Sequence, residues 1–185
     1  MGLADSVVRK LAFLHSYWIV CKGDKVAYLR TQGVKIGNDC DIITKVRNFG
    51  SEPWLVQVGD RVTLAYGSWL ITHDGASRLF REKFESMSKF GNKFGPIVIE
   101  DNCFIGINAI LMPNVVVGRN SIVGSGSVVT RSVEPNSVVA GNPAKFICNL
   151  DDYVDRYKDK MFKIHSSDRS SLRKELTIKF WGEER

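Results

Sequence analysis

Three histidines are the side chains of this sequence best suited to proton transfer near neutral pH: His15, His73 and His165. His15 lies in the predicted N-terminal helix and His165 in the C-terminal extension, and neither has a partner motif nearby. His73 lies in the run Ile71-Thr72-His73-Asp74, directly before a long basic insertion. A histidine at an edge beside a loop can contact substrate and titrate near neutrality. His73 is therefore a candidate for the chemistry, although its position alone is equally compatible with a structural role.

The cysteines indicate neither a metal site nor a redox pair. They lie far apart without a Cys-x-x-Cys motif, which zinc knuckles and dithiol centres use. They are Cys21, Cys40, Cys103 and Cys148. Unpaired thiols favour a reducing compartment, the N-terminus does not resemble a signal peptide, and the apolar run 11–21 is too short to span a bilayer. We predict a cytoplasmic protein with no metal and no stable membrane insertion.

The charge balance is modestly basic. The chain has 26 Lys and Arg against 20 Asp and Glu, a formal net charge of +6. This excess suits an anionic ligand. Nucleic acid would require a basic stripe with interleaved aromatic residues, and the sequence has none.

A six-residue period organises most of the chain. The aliphatic positions at this spacing are Ile36, Ile42, Val58, Leu64, Leu70, Ile99, Ile105, Leu111, Val117, Val123 and Val129. The fifth position of each hexad is mostly small, and the second is often glycine, for which we expect torsions that a Cβ atom would forbid. Because a helix repeats every 3.6 residues, this period predicts a mainly β protein, a parallel β-helix whose rungs stack on one another. Cys40 and Cys103 take the small position and are expected to pack rather than react.

Three segments depart from the period and define the predicted organisation. Residues 1–33 are predicted to be an N-terminal helical segment, with Asp5 or Ser6 as its cap and an apolar face. The face comprises Val7, Leu11, Leu14 and Trp18. Residues 34–150 form the repeat domain, interrupted by an inserted loop at 76–96, and insertions of this size are usually functional. Residues 151–185 form a C-terminal helical extension, with a helix expected over 151–160.

The motifs closely resemble the hexapeptide-repeat acyltransferases over about residues 30–150. They are the hexads, Ser51-Glu52-Pro53-Trp54, Ile71-Thr72-His73-Asp74-Gly75 and Ala140-Gly141-Asn142-Pro143-Ala144-Lys145. The sequence is most similar to the branch that O-acetylates bacterial surface polysaccharides, related to galactoside and maltose acetyltransferases. This resemblance implies a left-handed β-helix, a homotrimer with active sites between subunits, and acetyl-CoA as co-substrate.

The same resemblance implies roles for individual residues. His73 is the expected general base, and Glu52 and Asp74 are candidates to orient its imidazole or to bind the acceptor. Asn48 and Arg81 are expected acceptor contacts, Arg81 because it lies in the inserted loop. Expected contacts to acetyl-CoA are Gly106, Ile107, Asn108, Ser125, Gly126, Thr130, Arg131 and Lys145.

Other functions remain open at this stage. An N-acetyltransferase of an amino-sugar nucleotide commonly has an additional N-terminal nucleotide-binding domain, whereas this chain has only a helical segment there. A xenobiotic O-acetyltransferase and a non-catalytic trimeric scaffold are further alternatives, although His73 and the basic residues 131 and 145 argue against the scaffold. A carbonic anhydrase of this architecture needs three zinc histidines, and only His73 lies within the repeats. The acceptor itself is not readable from the sequence.

Overall fold

The hydrophobic hexads form a parallel β-helix of short strands. The computed structural model describes residues 3–182, and the chain divides into two units, Met1–Leu150 and Asp151–Arg185. The strands of the first unit are β1 (Lys35–Ile36), β2 (Asp41–Ile42), β3 (Val56–Val58), β4 (Thr63–Leu64), β5 (Trp69–Leu70), β6 (His73–Asp74), β7 (Lys93–Phe94), β8 (Ile97–Ile99), β9 (Phe104–Ile105), β10 (Ile110–Leu111), β11 (Val115–Val117), β12 (Ile122–Val123), β13 (Val128–Val129), β14 (Ser137–Ala140) and β15 (Lys145–Asn149).

Three sheets form the faces of the coil, and the chain visits them in rotation. Sheet A has the order β1-β3-β8-β11, sheet B has β15-β14-β12-β9-β4-β2, and sheet C has β13-β10-β5. All pairs in these sheets are parallel except β14 with β15, which turns back antiparallel at one end of sheet B. The predicted parallel β-helix is therefore present.

The core is the stack of aliphatic hexad residues. All eleven predicted positions are buried, the most exposed being Ile36 at 8%. Each buried Leu, Ile or Val side chain stabilises the fold by about 1.5–3 kcal/mol relative to its exposed state. The thiol of Cys103 is also buried and donates to the carbonyl of Gly118, and burial raises its pKa. Its predicted packing role is thus consistent with its surroundings, since a raised pKa lowers thiolate content.

The corners between strands correct one expectation about glycine. The second-position glycines lie outside the left-handed region, so the expectation that they supply unusual torsions was wrong. Gly106 is required by close packing instead, because an added Cβ would lie 2.5 Å from the backbone nitrogen of Ser125 on the next rung. The left-handed conformation belongs to the fourth hexad position. Residues there with positive φ include Asp39, Arg61, Gly67, Asn102, Asn108, Asn114, Asn120 and Gly126.

The N-terminal segment is two α-helices joined by a π-helical turn. Helix α1 spans Leu3–Leu14, the π-helix His15–Val20 follows, and α2 spans Lys25–Thr31. The expected cap at Asp5 or Ser6 was wrong, because α1 already begins at Leu3. The cap instead belongs to α2, where Asp24 accepts from the backbone nitrogen of Ala27 at 3.0 Å.

Helix α2 is fastened to the first turn of the coil. The ammonium of Lys25 donates to the carbonyls of Ile42 at 2.6 Å and of Thr44 at 2.9 Å. The guanidinium of Arg30 donates to the carbonyl of Ile36 at 2.9 Å. These contacts satisfy backbone acceptors at the open end of the β-helix.

Two interruptions break the coil. Residues 43–55 replace the sheet C strand of the first turn and contain 3₁₀ helices at Val46–Phe49 and Pro53–Leu55. Residues 71–96 follow β5 and contain the antiparallel pair β6–β7, helix α3 (Ser77–Lys83) and a 3₁₀ helix at Glu85–Met87. The insertion predicted as a loop at 76–96 thus has regular structure of its own.

The second unit is helical. Helix α4 spans Leu150–Tyr157, a 3₁₀ turn follows at Lys158–Lys160, and α5 spans Arg169–Trp181. Asp168 caps α5 by accepting from the backbone nitrogens of Ser170 and Ser171. Within residues 3–182, no helix is both long enough and apolar enough to cross a membrane.

Candidate active site

The candidate site forms where the two interruptions of the coil meet. Gly50 has a φ of 74°, and a Cβ there would clash with the side chain of Thr72. The turn at Gly50 therefore brings Ser51 and Glu52 against the start of the second interruption. On the other side, the backbone nitrogen of Gly95 donates to the carbonyl of Thr72 at 2.9 Å, and β6 pairs His73 with Phe94 of β7.

A hydrogen-bonded cluster surrounds the imidazole of His73. Its Nδ1 lies 2.9 Å from Oε2 of Glu52 and 3.1 Å from Oγ of Ser51. Oγ1 of Thr72, which is 1% exposed, donates to the same Glu52 oxygen at 2.7 Å. The carboxylate therefore accepts from two directions, and this fixes its orientation relative to the imidazole.

The charge state of Glu52 determines which imidazole nitrogen carries the proton. Burial by itself raises the pKa of Glu52, but hydrogen bonds from Thr72, His73 and Ser51 outweigh it and lower the pKa below its ordinary value. An ionised carboxylate only accepts hydrogen bonds. Nδ1 of a neutral His73 therefore carries the hydrogen, and Nε2 keeps its lone pair. Nε2 has no hydrogen-bond partner within the described part of the chain.

The imidazole lines an open cavity of about 500 Å³. The cavity lining comprises Arg47, Gly50, Ser51, Trp69, Ile71, Thr72 and His73. The ring of Phe94 lies 5.6 Å from that of His73, centroid to centroid. A half-exposed histidine with a carboxylate on one nitrogen and a cavity beside it can act as a general base on a bound hydroxyl.

The other predicted residues of this region lie apart from the imidazole nitrogen. Oδ1 of Asp74 accepts from the backbone nitrogen of Ala76 at 2.9 Å, so this side chain shapes a turn. Arg81 donates to Ser77 and to the carbonyl of Phe90, which fastens the inserted segment. Of the two carboxylates predicted to orient His73, the structure brings only Glu52 to it.

Asn48 is a core residue in this structure. Its side chain is 3% exposed, and its Nδ2 donates to Oγ1 of Thr44 and to the carbonyl of Ser68, both at 3.0 Å. Its Oδ1 is buried without a partner in the described part of the chain. These contacts hold the first interruption against the coil and do not place the amide in the cavity beside His73.

The predicted acetyl-CoA contacts form a line along the corner between sheets B and C. Three turns stack there, because the backbone nitrogen of Asn108 donates to the carbonyl of Tyr66 at 3.1 Å and that of Gly126 donates to Ile107 at 2.8 Å. Ile107, Asn108, Ser125 and Gly126 are exposed, whereas Gly106 is buried. A Cβ at Gly126 would meet only open space. A row of exposed turn backbones can hydrogen-bond the amides of an extended ligand.

The predicted phosphate contacts lie beyond β13. Thr130, Arg131 and Lys145 are exposed. The loop leading to Lys145 packs along β13, because Ala144 donates to the carbonyl of Val128 at 2.8 Å and Val128 donates to that of Gly141 at 2.9 Å. The exposed Arg and Lys side chains suit the phosphates of CoA.

His73 and the turn line occupy opposite ends of sheet C within one chain. The turn at residues 65–68 precedes β5, whereas His73 follows it. Among residues 3–182, no group of three His, Cys, Asp or Glu side chains is arranged to hold a metal ion.

Sequence reasoning missed several residues of the site. Thr72 and Ser51 contact Glu52 or His73 directly, and Arg47 and Trp69 line the cavity. Thr72 and Ser51 stood inside motifs already singled out, and their hydroxyls were a signal for hydrogen bonding to the predicted base. Arg47 and Trp69 gave no such signal, because their proximity depends on how the first interruption folds.

Comparison with known proteins agrees with the repeat architecture. A family model described as bacterial transferase hexapeptide (six repeats) matches residues 96–131. Protein CapG of Staphylococcus aureus is 44% identical over 126 residues, which cover 68% of this chain and 71% of CapG. Galactoside O-acetyltransferase of Escherichia coli (strain K12) is 33% identical over 117 residues, covering 63% of this chain and 55% of that enzyme. The chain thus matches about half the length of the galactoside enzyme.

Solved structures share the fold. A hexapeptide-repeat acetyltransferase of Vibrio cholerae complexed with acetyl coenzyme A superposes with a TM-score of 0.52 and 20% identity, covering 70% of this chain and 78% of that one. Galactoside acetyltransferase in complex with coenzyme A gives a TM-score of 0.50 and 21% identity, covering 76% of both chains. These neighbours imply that the coil is left-handed.

Proposed function

Because the chain belongs to the hexapeptide-repeat acetyltransferase family, we propose that it transfers an acetyl group from acetyl-CoA to a sugar hydroxyl, with His73 as general base. The observation that carries this proposal is the bond from Nδ1 of His73 to Glu52, which leaves Nε2 available in a cavity. The name of the related galactoside O-acetyltransferase favours oxygen as the acceptor atom.

In the proposed reaction Nε2 of His73 takes the proton of the acceptor hydroxyl. The hydroxyl oxygen attacks the thioester carbonyl carbon, and the carbon–sulfur bond then breaks. The proton passes from Nε2 to the departing sulfur, so the products are an acetyl ester and a free thiol. Glu52 stabilises the transient imidazolium through Nδ1, and base catalysis of this kind is worth about 10²–10⁴-fold.

Acetyl-CoA fits the predicted contacts on chemical grounds. The exposed turns at Ile107–Asn108 and Ser125–Gly126 offer backbone groups to its pantetheine amides, and Gly106 permits the tight stacking that aligns them. Thr130, Arg131 and Lys145 offer a hydroxyl and two cations to its phosphates. Backbone N–H groups near the thioester would stabilise the negative charge that develops on its oxygen.

We also propose that the active form is a homotrimer. His73 and the turn line lie at opposite ends of sheet C, so a second copy that presents its turn line to His73 would complete the site. The outward side chains of sheet C include Trp69, which is 40% exposed in one chain. A trimer with sites between subunits accounts for both features.

Synthesis of a surface polysaccharide in the cytoplasm remains the proposed setting. Arg81 fastens the inserted segment that borders His73, so this segment is a candidate to shape the acceptor site. Asp74 supports the same segment through its turn. Asn48 acts on the acceptor only indirectly in this proposal, by holding the first interruption in place.

The proposal is tested by thiol release from acetyl-CoA with a panel of mono- and oligosaccharides. We expect a hydroxyl acceptor to stimulate release, and His73→Ala to lower the rate by about 10²–10⁴-fold without changing the unfolding midpoint. His165→Ala, in the second unit, is the matched control and should retain the wild-type rate. Equal rates for His73→Ala and wild type would refute the base assignment, and a response to amino sugars alone would indicate N-acetylation.

A further inference from the structure

An aromatic groove lies beside the candidate active site. It has a volume of about 490 Å³ and is lined by Phe13, Tyr17, Trp18, Lys25, Lys45, Val46 and Arg47. Tyr17 stacks on Phe13 with centroids 5.4 Å apart and meets Trp18 edge to face at 5.1 Å. Trp18 is 60% exposed, so its indole is accessible to a ligand. Tyr17 and Trp18 lie on the π-helical turn, a conformation that is frequent at functional sites.

The cationic side chains of the groove differ in how many contacts they already make within the protein. Lys25 is already bonded to coil carbonyls, and desolvation by burial lowers its pKa, with Asp41 acting in the opposite direction. Among residues 3–182, the ammonium of Lys45 makes only a cation–π contact, 5.9 Å from the centroid of the Tyr66 ring. Arg47 is exposed and has no hydrogen-bond or ion-pair partner among residues 3–182. Lys45 and Arg47 are therefore available to a ligand.

Arg47 joins this groove to the cavity beside His73, here called the catalytic cavity. The same side chain lines both, and Gly50 and Ser51 of the catalytic cavity follow it within four residues. An acceptor with its reacting hydroxyl at His73 would therefore extend past Arg47 toward Trp18. Because both sites lie in the first unit, the path needs no contribution from residues 151–185.

We propose that the groove binds the next residue of an anionic saccharide acceptor. The apolar face of a sugar ring packs on Trp18, and its negative group pairs with Arg47 and Lys45, with the planar guanidinium suited to bidentate binding of a carboxylate. An aromatic platform with a few placed polar groups is the usual composition of a small-molecule site. This inference rests on the proposed function only in placing the acetylated sugar beside His73.

The test compares acidic disaccharides with neutral counterparts: cellobiouronic acid against cellobiose, which differ in one carboxylate, and digalacturonic acid against galactobiose, which differ in two. Binding to the full-length protein is measured by calorimetry and by saturation-transfer NMR, without acetyl-CoA. We expect at least one acidic member to bind about tenfold more tightly than its neutral partner, and Arg47→Gln to remove that preference. Trp18→Ala should weaken binding of both members several-fold. UDP-glucose against glucose tests whether a phosphate supplies the charge instead.

Arg119→Gln is the matched control, because it removes an exposed cation that pairs with Glu100 elsewhere on the coil. It should leave every affinity at the wild-type value. Equal affinity of all acidic and neutral partners, or an Arg47→Gln result identical to Arg119→Gln, would overturn the groove proposal. Acetyl transfer to neutral sugars alone would then leave the proposed function standing. Conversely, Arg47-dependent binding without acetyl transfer to any acceptor would refute the proposed function and support the groove proposal.

Discussion

The coil has regular turns, from Ile97 to Val129, and two interrupted turns that precede them. Both parts use the same hexads, but only the regular turns are continuous. In the later turns each strand is followed by a tight corner and the next strand, and the aliphatic residues of all three sheets are almost fully buried. In the earlier turns residues 43–55 replace the sheet C strand of the first turn, and residues 71–96 replace the corner that follows β5. Glu52 comes from the first of these interruptions and His73 from the second.

The difference indicates a division of labour. Uninterrupted rungs pair their backbone groups with the neighbouring rungs and bury their aliphatic side chains. They leave the exposed backbone of the corners available to a ligand. The interrupting segments do not follow the six-residue repeat, and Thr72 and His73 contact Ser51 and Glu52 there. Stability is therefore expected to depend on the regular turns and proton transfer on the interrupted ones.

Leu111→Ala gives the largest expected effect on the regular turns. Leu111 is fully buried in sheet C, and truncating such a side chain costs about 2–5 kcal/mol of unfolding free energy. Urea unfolding at a fixed protein concentration measures the loss. Ile99→Val at an equally buried position is the milder control and should cost about 0.5–1.5 kcal/mol. A Leu111→Ala cost below that of Ile99→Val would contradict the assignment of stability to these rungs.

Glu52→Gln is expected to separate catalysis from folding in the interrupted turns. An amide can donate to Nδ1 and so favour the tautomer with hydrogen on Nε2, which should lower the acetylation rate at least about 10²-fold. Initial rates at saturating acceptor measure this effect. A rate within threefold of wild type would show that Glu52 does not set the tautomer.

The same variant has a pH signature in stability. Because hydrogen bonds lower the pKa of Glu52 from its ordinary 4.5, the carboxylate stabilises the folded state above that value, and the contribution disappears as pH falls through the lower folded pKa. The stability difference between wild type and Glu52→Gln should therefore be larger at about pH 7 than at about pH 3. Unfolding curves at both pH values provide the measurement, and a difference independent of pH would contradict it.

Asn120→Ala tests the hydrogen bonds between asparagines at stacked corners of the regular turns, and a smaller loss of stability is expected. Asn120 has a φ of 57°, accepts from Nδ2 of Asn102 at 2.7 Å and donates to Oδ1 of Asn136 at 3.0 Å. Loss of these exposed bonds together with strain at positive φ should cost about 1–2 kcal/mol. Asn120→Gly removes the bonds without the strain, so thermal unfolding should rank it between wild type and Asn120→Ala. A glycine variant less stable than the alanine variant would contradict the role of torsional strain.

Asp74→Asn should have the smallest effect. Its Oδ1 bonds the backbone nitrogen of Ala76 rather than the imidazole, and an asparagine oxygen can accept the same bond. The acetylation rate should stay within about threefold of wild type. A loss comparable to that of Glu52→Gln would mean that Asp74 also acts on His73 during turnover.

The fold of the regular turns could be predicted from the sequence, because the six-residue pattern that specifies it is local. A buried Leu64 or Val117 follows from a six-residue period whatever the rest of the chain does. The same pattern placed the corners correctly but misread their glycines, since the close approach at Gly106 depends on Ser125, nineteen residues later.

The site was predictable only in part. His73 and Glu52 were both singled out from the sequence, but nothing in it favoured Glu52 over Asp74 as the partner of the imidazole. That choice depends on the Gly50 turn and its contact with Thr72. The burial of Asn48 likewise depends on how residues 43–55 fold back onto the coil. The contacts made where a repeat is interrupted join residues that are far apart in the sequence, and a periodic pattern does not encode such contacts.

The two ends of the β-helix have a consequence for assembly. A structure built by stacking identical rungs presents an open strand edge at each end, which is a template for pairing with another chain. Here Lys25 and Arg30 occupy carbonyls at the first rung, and β15 reverses direction against β14 at the other end of sheet B. These features act as chain terminators for a one-dimensional polymer. Molecules of this protein should therefore associate side by side rather than grow end to end into fibrils.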